Sequence, residues 1–468
     1  MRVKKTAYTL VDKAISSGDV YSAAAVYGIS DGRRRKLLEN MVFSKRKDLL
    51  RLASWEHTPT EVLQLLSDSE DAFVTLRLCK NPKTPSQALT DLYVKSFKGI
   101  SKGINLTTPI AKHQHAVTNL LAMITHVNED LETLKAISQN PSANGQLLME
   151  LLSYQPQDEK YKVFDKNIAS NPSASAEALK VIYDRGDAYA RAAVIAHANC
   201  PALLISDAES DSNVLVQRKM ARKCVKLEVL ANFVENKDTA VRCGVASNER
   251  SPQSLIKKLM VDSSFEVRRR LAKRCNLSVA DIDALMNDED SWVRLWIARN
   301  KTTPLRVLKV LSYDECPEVR RAVASNPRCP VVLLEALAKD NNAWVRSAVA
   351  YQEKSPMRIL VELAKESDID VLSGVANNRH TPQRILQELV QSSESDIRRG
   401  VILNRDARRA TLMPLLEDPY YLHRLMLVNN PMLNATDKLQ LCEDPDFNVR
   451  FAAYSWFAGL KNSTKTWV

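Results

Sequence analysis

From residue 241 onward, an apolar residue followed by arginine returns at a constant interval of 26 residues. The run reads Val241-Arg242, Val267-Arg268, Val293-Arg294, Val319-Arg320 and Val345-Arg346. It continues through Val371-Leu372, Ile397-Arg398 and His423-Arg424 to Val449-Arg450, with no insertion. Four and five residues after the leading position comes a small or apolar pair, as in Val323-Ala324 and Val349-Ala350. Positions i, i+4 and i+5 share one face of a helix. Asn follows at 248, 300, 326, 378, 404 and 430, where it suits a left-handed or capping conformation that ends that helix. Pro252, Pro304, Pro330, Pro356 and Pro382 come next and suit the first turn of a second helix, where a missing N–H is harmless. The sites three, four and seven residues past Pro are apolar, as in Leu333, Leu334 and Leu337. The pattern predicts a short helix, a tight turn, a longer helix and a loop. Neither helix encloses a core alone, so each unit must bury its apolar side on the next.

The pattern persists with drift toward the N-terminus. Ala53 with Pro59, Cys79 with Asn81 and Pro85, Ser138 with Asn140, Ala169 with Asn171, and Ile195 with Pro201 keep its order. The expected organisation is a basic helical cap over 1–48, first degenerate repeats over 49–91, an insertion over 92–130 and further degenerate repeats over 131–236. Regular repeats follow over 237–458, with a tail over 459–468. The insertion carries Lys95, Lys98, Lys102 and Lys112, and a helix is expected near Ala116 to Val127. The fold class expected is all-α, a right-handed superhelical solenoid of about fifteen 26-residue helix-turn-helix repeats.

Composition agrees with this reading. Only 11 glycines occur in 468 residues, fewer than a phosphate-loop or β-rich protein of this size uses. Eight dispersed cysteines without a CxxC pair suit reduced thiols. No secretory signal and no apolar run of about 20 residues appears, so the expected localisation is cytoplasmic, away from membranes. The net charge of +11 is uneven: residues 1–51 hold twelve Lys or Arg against five Asp or Glu. Arg33, Arg34, Arg35 and Lys36 are consecutive and stand as a candidate partner-binding patch, although such runs are commonly plain solvated surface.

The string Glu318 to Pro330, followed by Val331 to Asp340, resembles the bacterial leucine-rich repeat variant family. The Arg294 unit with Ala298, Asn300 and Pro304, and the Arg346 unit with Ala350 and Pro356, agree with it. The resemblance spans about 49–456 and is strongest from 237. It implies alternating α and 3₁₀ helices in a right-handed superhelix without β-structure, so the short helix here is expected to be 3₁₀. A member of that family carries an N-terminal iron–sulfur cluster on closely spaced cysteines. No cysteine precedes Cys79, so no cofactor is expected here. A more distant similarity to HEAT-like repeats, among them alkylpurine DNA glycosylases, is one of architecture.

The most regular polar feature is the series Arg242, Arg268, Arg294, Arg320, Arg346, Arg398, Arg424 and Arg450. Stacked about 10 Å apart, these cations require neutralisation. Internal pairing with Asp238, Glu266, Asp290, Glu318, Asp370, Asp396 and Asp446 is the favoured route, which makes the series a structural ladder. The other route is a bound polyanion, because Arg grips phosphate with two parallel hydrogen bonds. Trp292, Trp296 and Trp344 lie beside the ladder as candidate partner-binding aromatics, with coverage of neighbouring helix ends as the plainer role. His113 and His115 lack the third ligand that a zinc site needs, so no metal is expected. No phosphate-loop, dinucleotide or hydrolase motif occurs. No catalytic residue is assigned; Asp290 with Trp292 and Trp296 is the sole glycosylase-like nomination. The leading expectation is a non-enzymatic scaffold for a protein partner, monomeric by default. The alternatives are nucleic-acid binding and a HEAT-like DNA repair glycosylase.

Overall fold

A computed structural model describes residues 2–97, 103–127, 130–153 and 162–462. Every regular element among them is helical, and none is a strand. Lys98, Lys102 and the tail beyond 462 lie outside the described residues. Internal contacts divide the chain into a central unit, 217–441, and a terminal unit, 1–216 with 442–468.

The central unit holds the regular repeats. The first helices of successive repeats are Thr239–Ser247, Phe265–Ala272, Ser291–Arg299, Pro317–Ser325, Ala343–Tyr351, Ile369–Asn377, Ser395–Leu403 and Tyr421–Val428. Second helices include Gln253–Leu259, Val279–Leu285, Leu305–Leu311, Val331–Leu337, Met357–Leu363 and Gln383–Leu389. The leading valines, from Val241 to Val371, are wholly buried, as are Leu308, Leu334, Leu360 and Leu386 of the second helices.

Two expectations are overturned here. The first helices are regular α-helices of eight or nine residues, not 3₁₀, and the second helices, at seven residues, are the shorter ones. A 3₁₀ segment occurs instead at Met413–Glu417, around Pro414. The second helix stops early because its apolar stripe ends two turns in, and the chain must then turn to carry an acidic residue back to the stack (described below).

The Asn position is also different in kind. Asn326 and Asn378 cap their helices with φ near −70° and ψ near +127°, an extended rather than a left-handed conformation. Their side chains act across the stack. Asn326 Nδ2 donates to the Ala298 and Asn300 carbonyls at 2.6 and 3.0 Å, while its Oδ1 accepts from the Arg328 N–H at 2.8 Å. Asn248, Asn378 and Asn404 repeat these bonds. Each rung therefore satisfies two buried carbonyls of the preceding repeat. A second clamp was not anticipated. The hydroxyl just before Pro donates to the carbonyl six residues back, as in Thr303 to Ile297 at 2.6 Å and Ser355 to Val349 at 2.6 Å. Pro itself stands at the N-cap of the second helix, one position earlier than expected.

Within the central unit, consecutive first helices touch directly whereas consecutive second helices barely meet. Small residues make this approach feasible: a Cβ on Gly374 or Gly400 would sit 2.7 Å from the Ala350 or Ala376 Cβ. The first helices therefore form the closely packed layer of this unit.

The terminal unit is built from less regular pairs, such as Ala72–Lys80 with Ser86–Phe97 and Leu131–Gln139 with Gly145–Ser153. The expected insertion contains a further pair, Thr107–Lys112 and Thr118–Val127. His113 takes the Asn position there, its Nε2 donating to the Asn81 carbonyl at 2.7 Å. Asn140 in turn bonds the Ala111 and His113 carbonyls, so the stack runs through this segment. The pattern missed it because histidine replaces asparagine and the spacing stretches from 26 to 32 and 27 residues. His197 plays the same part against the Asn171 carbonyl at 2.8 Å.

The 1–48 segment does more than cap the first repeat. Its helix Val20–Val26 packs on the last helix, Phe447–Asn462. Tyr21 stacks on Phe447 at 4.4 Å, Trp55 meets Phe451 edge-on at 4.5 Å, and Lys13 pairs with Glu443 at 2.5 Å.

Candidate partner-binding face

The arginine ladder comes first, because its state decides which side chains remain available to a partner. Arg294 Nε and Nη2 donate to the two oxygens of Asp314 at 2.7 and 2.9 Å, and Nη1 to the Asp288 carbonyl at 2.9 Å. Arg242 with Asp262, Arg268 with Asp288, Arg320 with Asp340, Arg346 with Glu366 and Arg398 with Asp418 have the same form. Arg424 donates to the Asp418 carbonyl. Six of the eight rungs are thus neutralised internally, but by acids 20 residues downstream, not by the nearby set expected. Of that set, Asp238 and Asp290 cap their own helices at Val241 and Val293, and they pair with Arg218 and Arg269. Glu266, Glu318, Asp370 and Asp396 are exposed in first helical turns, where the helix dipole favours them.

Electrostatics follow the geometry. Burial pushes the Asp340 carboxyl up, but the Arg320 guanidinium and the Asn342 N–H outweigh it, leaving the group below the ordinary aspartate value. Asp262 and Asp418 respond in the same way to Arg242 and Arg398. The last rung closes within the terminal unit: Arg450 Nε donates to Asp19 Oδ2 at 3.2 Å, and Nη1 to the Asp444 carbonyl at 2.7 Å. Asp19, from the opposite end of the sequence, stands where the acid 20 residues on would stand.

What remains open is the outward side of the first helices in the central unit. Trp292 and Trp344, one residue before the leading valine, are 51% and 54% exposed, and Phe265 and Tyr351 are similar. Trp296 is half-buried, with Lys273 Nζ 4.3 Å and the Arg299 guanidinium 5.4 Å from its ring. Arg269 reaches over Phe265 at 4.4 Å while holding Asp290. The sequence-based reading placed Trp292, Trp296 and Trp344 near the ladder; the structure puts them on this shared face, together with Arg270, Lys273 and Arg299, which that reading missed. Beyond Trp296 the floor is made of Ala322, Ala348, Gly374 and Gly400, all buried. The face opens into a cavity of about 770 Å³ where Ser395–Leu403 meets Tyr421–Val428, lined by Asp396, Arg399, Tyr420 and His423 among others.

The N-terminal basic run is partly spent on its own unit. Arg34 grips Asp12 at 2.8 and 3.0 Å, and Arg35 lies 4.6 Å over the Tyr27 ring, while Arg33 and Lys36 are exposed. Asp290, the glycosylase-like nomination, is bound by Arg269 Nε and Nη2 at 2.8 and 2.6 Å, not by Arg294. His115 Nδ1 lies 3.0 Å from the Thr84 carbonyl.

These features define a helical repeat protein. The chain is similar to a solved leucine-rich repeat variant described as having a novel repetitive protein structural motif. The identity is 23% over 55% of this chain and 94% of that one, with a TM-score of 0.32. Two engineered proteins from the Northeast Structural Genomics Consortium are also similar. One is 14% identical over 94% of this chain and 98% of its own, with a TM-score of 0.13. The other is 16% identical over 68% and 98%, with a TM-score of 0.10. No family model matches the sequence, and no curated protein does. No described helix is long and apolar enough to cross a membrane.

Proposed function

We propose that this chain is a non-enzymatic binding scaffold that holds a protein partner on the first-helix face of its central unit. One observation carries the reading. Six of the repeated arginines are consumed by ion pairs with acids 20 residues downstream, whereas the large aromatics Trp292, Trp344 and Tyr351 stand half-exposed on one face of the first helices. Aromatic anchors of this kind dominate the energetics of protein interfaces. Engagement of Asp290 by Arg269 supports the absence of glycosylase chemistry at that carboxylate.

The test is capture of a partner from cell extract by the full chain and by a Trp292→Ala/Trp344→Ala variant of unchanged helicity. Loss of a specific protein from the variant is the expected result; retention of all captured proteins refutes the face. A second reading, nucleic acid at the Arg270, Lys273 and Arg299 end, is favoured by those exposed cations beside two tryptophans. It requires affinity that falls steeply with salt.

A further inference from the structure

The first-helix face of the central unit carries an excess of positive charge at one end and of negative charge at the other. At one end Arg270, Lys273 and Arg299 are exposed beside a single exposed acid, Glu266, and none of the three cations forms an ion pair among the described residues; Lys273 and Arg299 flank Trp296. At the other end Asp370 and Asp396 are exposed and likewise unpaired, with Glu318 exposed on the same row. Burial raises the Tyr351 hydroxyl above its ordinary value; the Asp370 and Asp396 charges raise it further and the exposed Arg399 opposes them, so this end carries two carboxylates against one cation. Between the ends, the buried small residues Ala322, Ala348, Gly374 and Gly400 leave a shallow floor. Trp344 and Tyr351 bound it, two turns apart on one helix, about 10 Å. Less the thickness of the two rings, that spacing is narrower than a helix, about 10–12 Å across with its side chains, and wide enough for an extended chain.

Resting on the scaffold reading above, we infer that this face is a cleft for an extended segment of a protein partner, acidic where it crosses Phe265–Ala272 and Ser291–Arg299 and basic where it crosses Ile369–Asn377 and Ser395–Leu403. Complementary charge at both ends sets the register and rejects wrong partners. A polyphosphate strand running the length of the face would meet Glu318, Asp370 and Asp396, which selects against nucleic acid. The charge centres lie four repeats apart, which at 8–10 Å per repeat is about 35 Å. Extended chain covers that span in on the order of ten residues.

The test uses fluorescent peptides with the full chain at moderate salt. One peptide carries a glutamate block and a lysine block joined by a ten-residue neutral spacer, and a second has the blocks in reverse order. Controls are the all-glutamate and all-lysine peptides and a single-stranded oligonucleotide. One two-block peptide is expected to bind at least tenfold more tightly than either control peptide. Arg270→Glu/Lys273→Glu and Asp370→Lys/Asp396→Lys are each expected to remove that gain, with helicity unchanged. Equal affinity for two-block and single-block peptides, or no binding of either two-block peptide, overturns the inference. A partner captured from extract and still held by both charge-reversed variants overturns it while leaving the scaffold intact. If the oligonucleotide binds more tightly than every peptide, and more tightly still to Asp370→Lys/Asp396→Lys, both readings fail.

Discussion

Replacing Asp340 by Asn keeps the shape of one ladder rung and removes its charge. In the native rung, Arg320 Nε and Nη2 reach Asp340 at 2.7 and 2.9 Å, and the two side chains are 14% and 8% exposed. Removing one member of a buried pair costs about 3–5 kcal/mol, since the other charge stays in a poorly solvated place. Arg320 keeps its bonds to the Asp314 and Glu315 carbonyls at 2.7 and 3.1 Å, and to Asn341 Oδ1 at 3.2 Å. Those surviving acceptors place Asp340→Asn near the lower end, about 3 kcal/mol. A chain of this size need not unfold in one step, so the appropriate assay is native-state hydrogen exchange. Amides of Pro317–Ser325 and Ala343–Tyr351 should lose protection by about 150-fold, the equivalent of about 3 kcal/mol. Amides several repeats away should change little, because repeats couple to neighbours. Glu388→Gln is the control, since it breaks an Arg384–Glu388 pair of 3.3 Å whose members are 90% and 65% exposed. Such pairs contribute little, so no change is expected there. If Asp340→Asn alters protection no more than Glu388→Gln, the ladder is not a structural clip.

Asn326→Ala removes the side-chain donor to the Ala298 carbonyl, while the Asn300 carbonyl keeps the Thr303 N–H, and should cost about 1–3 kcal/mol by urea midpoint. Asn326→His should cost less than Asn326→Asp, because His113 and His197 already serve this position while a carboxylate cannot donate. Asp19→Lys should free the last helix, read as lost exchange protection over 447–462, with the central unit unaffected. Lowered carboxyls at Asp262, Asp340 and Asp418 stabilise the fold above the unfolded aspartate value near 3.9, and that contribution is lost as pH falls through the still lower folded values. The urea midpoint should therefore hold from pH 7 to about 4.5 and drop below about pH 4; an unchanged midpoint at pH 3 would count against the ladder. Burial pushes the Cys79 and Cys442 thiols up to about 12 and Cys329 up to about 11, so a thiol reagent at pH 8 should label exposed Cys275 and leave these three until unfolding.

The repeat, its helical class and its buried stripe are plain in the sequence because Val, the Ala pair, Asn, Pro and Leu recur in fixed phase. The ladder was visible too, yet its partners were not. Asp290 and Arg294 are one helical turn apart in sequence, but the helix turns Arg294 toward the following repeat, where Asp314 waits. The signal existed: Asp262, Asp288, Asp314 and Asp340 are themselves 26 apart. The Asn rungs look like local caps in the sequence because a single repeat cannot reveal a bond to the one before it. Substitution at that position hid further rungs. Gln352 bonds the Ala324 and Asn326 carbonyls, and Arg274 bonds those of Ala246 and Asn248, with four different side chains meeting one requirement. Helix lengths were inverted because the apolar count past Pro suggested a long second helix, whereas two turns suffice to bury Leu333, Leu334 and Leu337. Nothing periodic marks Asp19 as the partner of Arg450, since that pairing spans the whole chain. The candidate face was half legible: the tryptophans stood out, but the charge division appears only when the first helices are set side by side.

The most direct measurement is hydrogen exchange of the full chain with and without its captured protein partner. The account predicts new protection confined to the first helices from Phe265–Ala272 to Ser395–Leu403. Protection confined to the second helices, or to Gly32–Phe43 with its arginine run, would contradict it.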